Sequence, residues 1–115
     1  MNSGEPSRGE VWDLHFEPVI GHEQTGSRPA LILSEDLFNE GPAGMVVVAP
    51  ITRLARKVRW HVPVAPAEGG LSTESFIQCE DVRSVSKGRL KRRRGRVPSP
   101  VMQQVEDRLR ILLGL

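Results

Sequence analysis

One stretch of the chain collects side chains that do chemistry, the polar segment G-H-E-Q-T-G-S-R at residues 21–28. Arg28 closes it, and its planar guanidinium can hold two oxygens of a phosphoryl group at once without losing its proton near neutral pH. Glu23 is the nearest carboxylate in sequence, and Gln24 beside it can hydrogen-bond a base edge or support the loop. A second group follows an apolar run further on: Thr52, a hydroxyl donor and acceptor, then Arg53, Arg56, Lys57 and Arg59, a basic cluster suited to collecting phosphates. Metal chemistry has no such nucleus. His15, His22 and His61 lie in separate segments, and Cys79 has no Cys or His at ligand spacing. No Walker sequence, G-x-S-x-G or strand-to-helix glycine loop occurs, which removes the usual nucleotide-triphosphatase, hydrolase and dinucleotide readings.

The charge distribution agrees with a phosphate-bearing partner. Net charge is only +2 over 115 residues, but residues 1–50 hold two basic and eight acidic side chains, a net of −6. The remainder holds fourteen basic and six acidic, a net of +8. Nucleic acid is favoured over a membrane surface, because no amphipathic basic helix accompanies the charge. One cysteine excludes an internal disulfide, and no apolar run approaches the roughly 20 residues that span a bilayer. The opening residues lack the form of a signal peptide, so the expected location is the cytoplasm.

The elements that must position these residues are short. At 115 residues, with 38% hydrophobic and 26% charged side chains, the chain suits one domain, residues 1–115, and eleven glycines with nine prolines disfavour a helical bundle. Trp12, Leu14 and Phe16 alternate with polar residues in a half-buried strand, and residues 1–8 before it read as a ragged tail. Residues 19–29, where Gly21 and Gly26 bracket polar residues without a period, read as a loop. An apolar strand follows at 28–34, then one helical turn at 36–39, then a central strand, rich in β-branched residues, that ends at Pro50. Residues 57–64 alternate as an edge strand with Val58, Trp60, Val62 and Val64 on one face and Arg59, His61 and Pro63 on the other. Residues 76–85 bound another strand, with a bulge near Glu80 and Asp81. Ser99 and Pro100 start a helix whose Val101, Val105, Leu109 and Leu112 share a face until Gly114 stops it. Five or so short strands and one terminal helix predict a mainly β fold, a small antiparallel barrel or partly open roll.

The string G-H-E-Q-T-G-S-R-P-A-L-I-L-S at 21–34 resembles the G-x-E-Q-x-G-x-R-P signature of the MazF/PemK family of bacterial endoribonuclease toxins. R-G-E-V-W at 8–12, V-V-A-P-I-T at 47–52 and D-V-R-S-V at 81–85 are similar to further family motifs in the same order, so the resemblance spans about 100 residues. It implies an SH3-like barrel, a homodimer, single-stranded RNA as substrate, a cognate antitoxin as partner, and cleavage without metal or other cofactor. Residue by residue, it places the catalytic arginine at Arg28, the catalytic hydroxyl at Thr52 and the acidic loop position at Glu23. His15 stands where the family commonly has aspartate, and Glu80 and Asp81 replace its usual Asp-Gln pair, which puts carried-over base recognition there in doubt.

Metal-free RNA cleavage needs one proton removed from the 2′-hydroxyl, extra charge stabilised on phosphate oxygens, and the leaving 5′-oxygen protonated. Arg28 suits the second task. Thr52 can donate to a phosphate oxygen or orient the 2′-hydroxyl but is too weak a base to deprotonate it unaided. Glu23 is either the general base or the group that positions Arg28, since a solvated glutamate with a pKa of about 4.3 is a feeble base at neutral pH. Gln24, Arg53, Arg56 and Lys57 are the expected RNA contacts. The basic run at 91–96 either extends the RNA groove or meets an acidic antitoxin segment. Two other classes remain as rivals, a gyrase-binding toxin of the CcdB type and a non-catalytic nucleic-acid-binding SH3-like module. Neither requires Arg28 and Thr52 together.

Overall fold

Period-two alternation in the first half of the chain builds the centre of the sheet. In the computed structural model, which describes residues 4–16 and 27–115, β1 (Glu10–His15) pairs antiparallel with β2 (Ser27–Ile32), and β2 pairs antiparallel with β3 (Met45–Thr52). A short helix, α1 (Asp36–Glu40), separates β2 from β3 as expected. Trp12, Leu14 and Phe16 project to one face, where buried Leu14 packs with Ala30, Ile32, Val46, Val48 and Val85. The opposite face carries the larger core, built on Val11, Leu31, Ala49 and Ile51. Both faces of β3 are therefore apolar, which is why its sequence runs through Val46, Val47 and Val48 without a polar break.

β3 does not stop at Pro50. It continues to Thr52, because its outer edge changes partner around the proline: Met45 to Val48 pair with β6 (Arg83–Ser86), whereas Ile51 and Thr52 pair with β5 (Ser75–Gln78). The missing N–H of Pro50 removes no bond from either of those ladders. The same change of partner splits the strand expected at 76–85 into two. A 3-10 turn at Cys79–Asp81 replaces the bulge and carries the chain from one end of β3 to the other.

β4 is shorter than the alternation suggests, His61–Val64, and it is an edge strand with Pro63 exposed. His61 is not on a solvent face. It is buried, and its Nε2 lies 2.9 Å from Glu80 Oε2. Trp60, half-buried against the larger core, lies before the strand with the Arg59 guanidinium over its ring at 4.9 Å.

The basic run forms a strand that sequence patterning alone did not disclose. β7 (Leu90–Arg96) pairs antiparallel with the free edge of β1 through two register shifts. Its alternation is electrostatic rather than apolar. Arg92 and Arg94 reach Asp13 at 3.2 and 2.9 Å, while Arg93 and Arg96 reach Glu10 at 2.7 and 3.7 Å. Burial tends to raise the Glu10 pKa, but the Trp12 indole N–H, the Ser7 backbone N–H and Arg93 outweigh it, and the carboxyl titrates below its ordinary value.

The strand order is β4-β5-β3-β2-β1-β7 with β6 alongside β3, and among the described residues this path does not close. The mainly β fold with a C-terminal helix is thus the partly open form of the expected barrel. That helix, α2 (Ser99–Leu113), has Pro100 in its first turn, and Gly114 at φ +72° caps its end by donating to the carbonyls of Arg110 and Ile111. Val101 and Val105 bury against Val62, Val64 and Ile77, with Leu109 packed beside them, so this helical face is core. Of the tail expected at 1–8, residues 1–3 lie outside the described residues, and residues 5–8 are tied down rather than ragged: Glu5 pairs with Lys87 at 2.7 Å, Arg8 pairs with Glu106 at 2.7 Å and also donates to the Leu33 carbonyl, and Ser7 donates to Asp36. Among the described residues no helix is long and apolar enough to cross a membrane.

Candidate active site

The register of two strands brings Arg28 and Thr52 together. Ile32 pairs with Val48, Leu31 with Ala49, and Ala30 with Pro50, so each step back along β2 matches a step forward along β3. The ladder ends at Ala30 and Pro50, and Arg28 and Thr52 each stand two residues beyond it, a spacing that returns both side chains to the face of that last pair. Both side chains line one cleft of about 460 Å³.

A further part of the lining comes from the segment after a tight 3-10 turn, Glu68–Gly70, which contributes Leu71, Ser72, Thr73 and Ser75. Arg53 and Leu54, just past the end of β3, and Arg94 of β7 complete it. The lining described therefore holds three guanidiniums and five hydroxyl-bearing residues and no carboxylate. Such a surface fits an anion with several oxygens, since every polar side chain on it can donate a hydrogen bond.

Arg28 is exposed and has no ion-pair partner among the described residues. Its guanidinium stands 5.7 Å from the centroid of the Phe16 ring. Arg83 stands over the same ring at 5.0 Å and is paired with Asp81 at 2.8 Å. A ring face steers a guanidinium without neutralising it, which leaves the Arg28 N–H groups for a ligand. Thr52 is oriented in a different way. Its Oγ1 accepts from the Leu54 backbone N–H at 3.1 Å, so a lone pair is engaged while the hydroxyl hydrogen stays available to donate.

The other sequence candidates distribute as follows. Arg53 is in the cleft; Arg56 and Lys57 are exposed on the adjoining segment and are not part of its lining. Glu23, Gln24 and His22 lie outside the described residues. Glu80 and Asp81, departures from the family pair, are engaged with His61 and Arg83. Trp12 donates its indole N–H to Glu10 at 2.9 Å and packs on the smaller core rather than standing free to stack. The Cys79 thiol is buried, and burial, helped by Glu80, pushes its pKa up to about 11, so it is no nucleophile at neutral pH. Among the described residues no three His, Cys, Asp or Glu side chains converge as a metal site would require.

Sequence reasoning did not select Ser72, Thr73 or Ser75, and it offered Arg94 only as part of the basic run 91–96, without singling it out. The two glycines before Leu71 were the available signal, because a G-G pair marks a place where the chain turns sharply or meets another backbone closely.

Residues 7–113 match the model of the PemK-like, MazF-like toxin family of type II toxin-antitoxin systems. The chain belongs to this family. A PemK endoribonuclease from Escherichia coli is 34% identical over 108 residues, 92% of this chain and 80% of that protein. The endoribonuclease EndoA of Bacillus subtilis (strain 168) is 30% identical over 109 residues, 94% of each. The fold agrees too. The crystal structure of a MazE-MazF complex from Deinococcus radiodurans superposes with a TM-score of 0.81 at 33% identity, covering 96% of both chains. The arginine-threonine cleft thus lies in a chain with the sequence and shape of PemK-like, MazF-like toxins.

Proposed function

We propose that this chain is a sequence-specific endoribonuclease toxin of the cytoplasm that cuts single-stranded RNA without a metal ion. The observation that carries the reading is that Arg28 and Thr52 line one cleft whose described lining has no carboxylate. The 2′-oxygen forms a bond to phosphorus as its proton leaves, and the bond from phosphorus to the 5′-oxygen breaks as that oxygen gains a proton. The products are a 2′,3′-cyclic phosphate and a 5′-hydroxyl. Arg28 binds the phosphoryl oxygens as charge accumulates on them, and the free hydroxyl hydrogen of Thr52 donates to one oxygen or orients the nucleophile. Glu23 either accepts the 2′-proton or positions Arg28. Gln24, Arg53, Arg56 and Lys57 hold the strand.

A cognate antitoxin fits the family and the solved MazE-MazF complex. In this reading its acidic segment occupies the same donors as the RNA phosphates. The test is cleavage of a long RNA by the purified chain in EDTA, with both new ends mapped. We expect full activity, recurrent cut sequences, 5′-hydroxyl ends, and inhibition by the antitoxin that salt weakens. Activity lost in EDTA and restored by a divalent ion would sink the metal-free mechanism. A gyrase-binding toxin or an inert binding module would show no cleavage at all.

The family resemblance also supports a homodimer, and apolar side chains are exposed to cover. Ile111 and Leu113 are 54% and 55% exposed at the end of α2, with Leu115 at 84%. These residues, rather than the buried Val101 and Val105, are the candidates for an interface. Light scattering at micromolar concentration is expected to give about twice 12.8 kDa. A mass near that of one chain refutes the dimer.

A further inference from the structure

We propose that Arg94 is a second, fixed phosphate-binding group of the RNA cleft, holding a phosphate other than the one cut and setting affinity rather than rate. The inference rests on the endoribonuclease reading and extends it to a residue outside the motif. Arg94 is the least exposed arginine of its strand, with 23% of its side chain accessible against 69%, 52% and 51% for Arg92, Arg93 and Arg96. It is also the member of that run that lines the cleft.

Its guanidinium is held from two sides. Nη1 donates to Asp13 Oδ1 at 2.9 Å and Nη2 donates to the Gly70 carbonyl at 3.0 Å. A guanidinium has five N–H donors, so three remain after these bonds. Asp13 does not cancel the local charge, because the same carboxylate also pairs with Arg92 at 3.2 Å. One anion between two cations leaves a net positive edge beside the exposed hydroxyls of Ser72 and Thr73. Low exposure reduces solvent screening of that charge.

Its place in the sheet decides the role. β1 lies between β7 and β2, so Arg94 starts two strands, roughly 10 Å, from Arg28, and the phosphate it holds is a neighbour of the one that Arg28 and Thr52 flank. A grip on a phosphate whose charge does not change during the reaction is the same in the ground state and the transition state, which strengthens binding and leaves the chemical step unchanged.

The experiment uses the full chain and an RNA oligonucleotide whose cut site carries a 2′-deoxy sugar, titrated over a range of KCl concentrations. Arg94→Gln, which removes the charge, is expected to weaken binding about tenfold and to reduce the slope of log K against log salt by about 0.7, one contact's worth for a single strand. Arg94→Lys is expected to retain most of that slope. Single-turnover cleavage of the all-ribose RNA at saturating protein is expected to change less than about threefold in both. Asp13→Asn tests the idea in the opposite direction: with the carboxylate neutral, the RNA binds about threefold tighter and the slope steepens. This variant decides the matter if Arg94→Gln does not fold. Unchanged affinity and slope in Arg94→Gln and Asp13→Asn, with Arg28→Ala still inactive, would make Arg94 a brace between β1 and Gly70 and overturn the inference alone. Failure of the unmodified chain to bind or cut RNA would overturn the endoribonuclease reading together with it.

Discussion

Arg28→Ala is expected to lower RNA cleavage at least about 100-fold with the fold intact. Removing one preorganised donor from the charge that builds in a transition state costs about 2.7–4 kcal/mol, which is a factor of roughly 10² to 10³ in rate. The fold has little to lose. Arg28 is exposed at the start of β2, and its described interaction is the Phe16 ring at 5.7 Å, a contact of about 0.5–1 kcal/mol at an exposed site. Arg28→Lys is expected to fail nearly as badly, because an ammonium group is a point charge and does not span two phosphoryl oxygens. Single-turnover rates and thermal melts of the three proteins decide it. A lysine variant that keeps most of the activity would show that charge alone suffices and that the bidentate role is wrong.

How far the sequence disclosed this site depended on the range of the interactions. Arg28 and Thr52 were legible from the motif, and the alternation of Trp12, Leu14 and Phe16 located β1 and its buried face. The helix was legible because Pro100 and Gly114 mark its ends chemically. β7 was not, since a strand made of Lys91, Arg92, Arg93, Arg94, Gly95 and Arg96 has no apolar period; its alternation appears only once Asp13 and Glu10 stand opposite. Splitting of the strand at 76–85 was equally hidden, because the cause is the exchange of partners along β3, a contact between distant segments. Arg94 and the hydroxyls of Ser72 and Thr73 join the site through tertiary contacts that no local pattern encodes. The expected limit of β4 failed for a related reason: Lys57 to Trp60 alternate as a strand would, but β5 supplies partners only from His61 to Val64.

Gly70→Ala is expected to be the most destabilising single-methyl change of those considered, by about 3 kcal/mol or more, and to disturb the cleft as it does so. Gly70 has φ +73°, a conformation that costs a residue with a side chain roughly 1–2 kcal/mol. Its second penalty is steric. An added Cβ would stand 2.6 Å from the carbonyl carbon of Arg94 and nearer still to its oxygen, and backbone cannot swing aside as a side chain tip does. Overpacking of that kind adds about 1–3 kcal/mol. The approach is close because Gly95 on β7 faces the same turn: a Cβ there would lie 2.8 Å from Gly69 C and Gly70 N. This backbone contact seats both Arg94 and the segment bearing Ser72 and Thr73, so relieving the clash must move these two parts of the cleft lining apart. Gly44→Ala is the control, since Gly44 has φ +68° and nothing within 4 Å of an added Cβ, leaving the conformational cost alone. Denaturant unfolding of both variants separates the effects. Gly70→Ala is expected to exceed Gly44→Ala by about 2 kcal/mol, and equal losses would mean that β7 and the turn part without cost. RNA affinity measured on the folded fraction is expected to fall in Gly70→Ala and not in Gly44→Ala, because only the first displaces Arg94 from its seat against the Gly70 carbonyl.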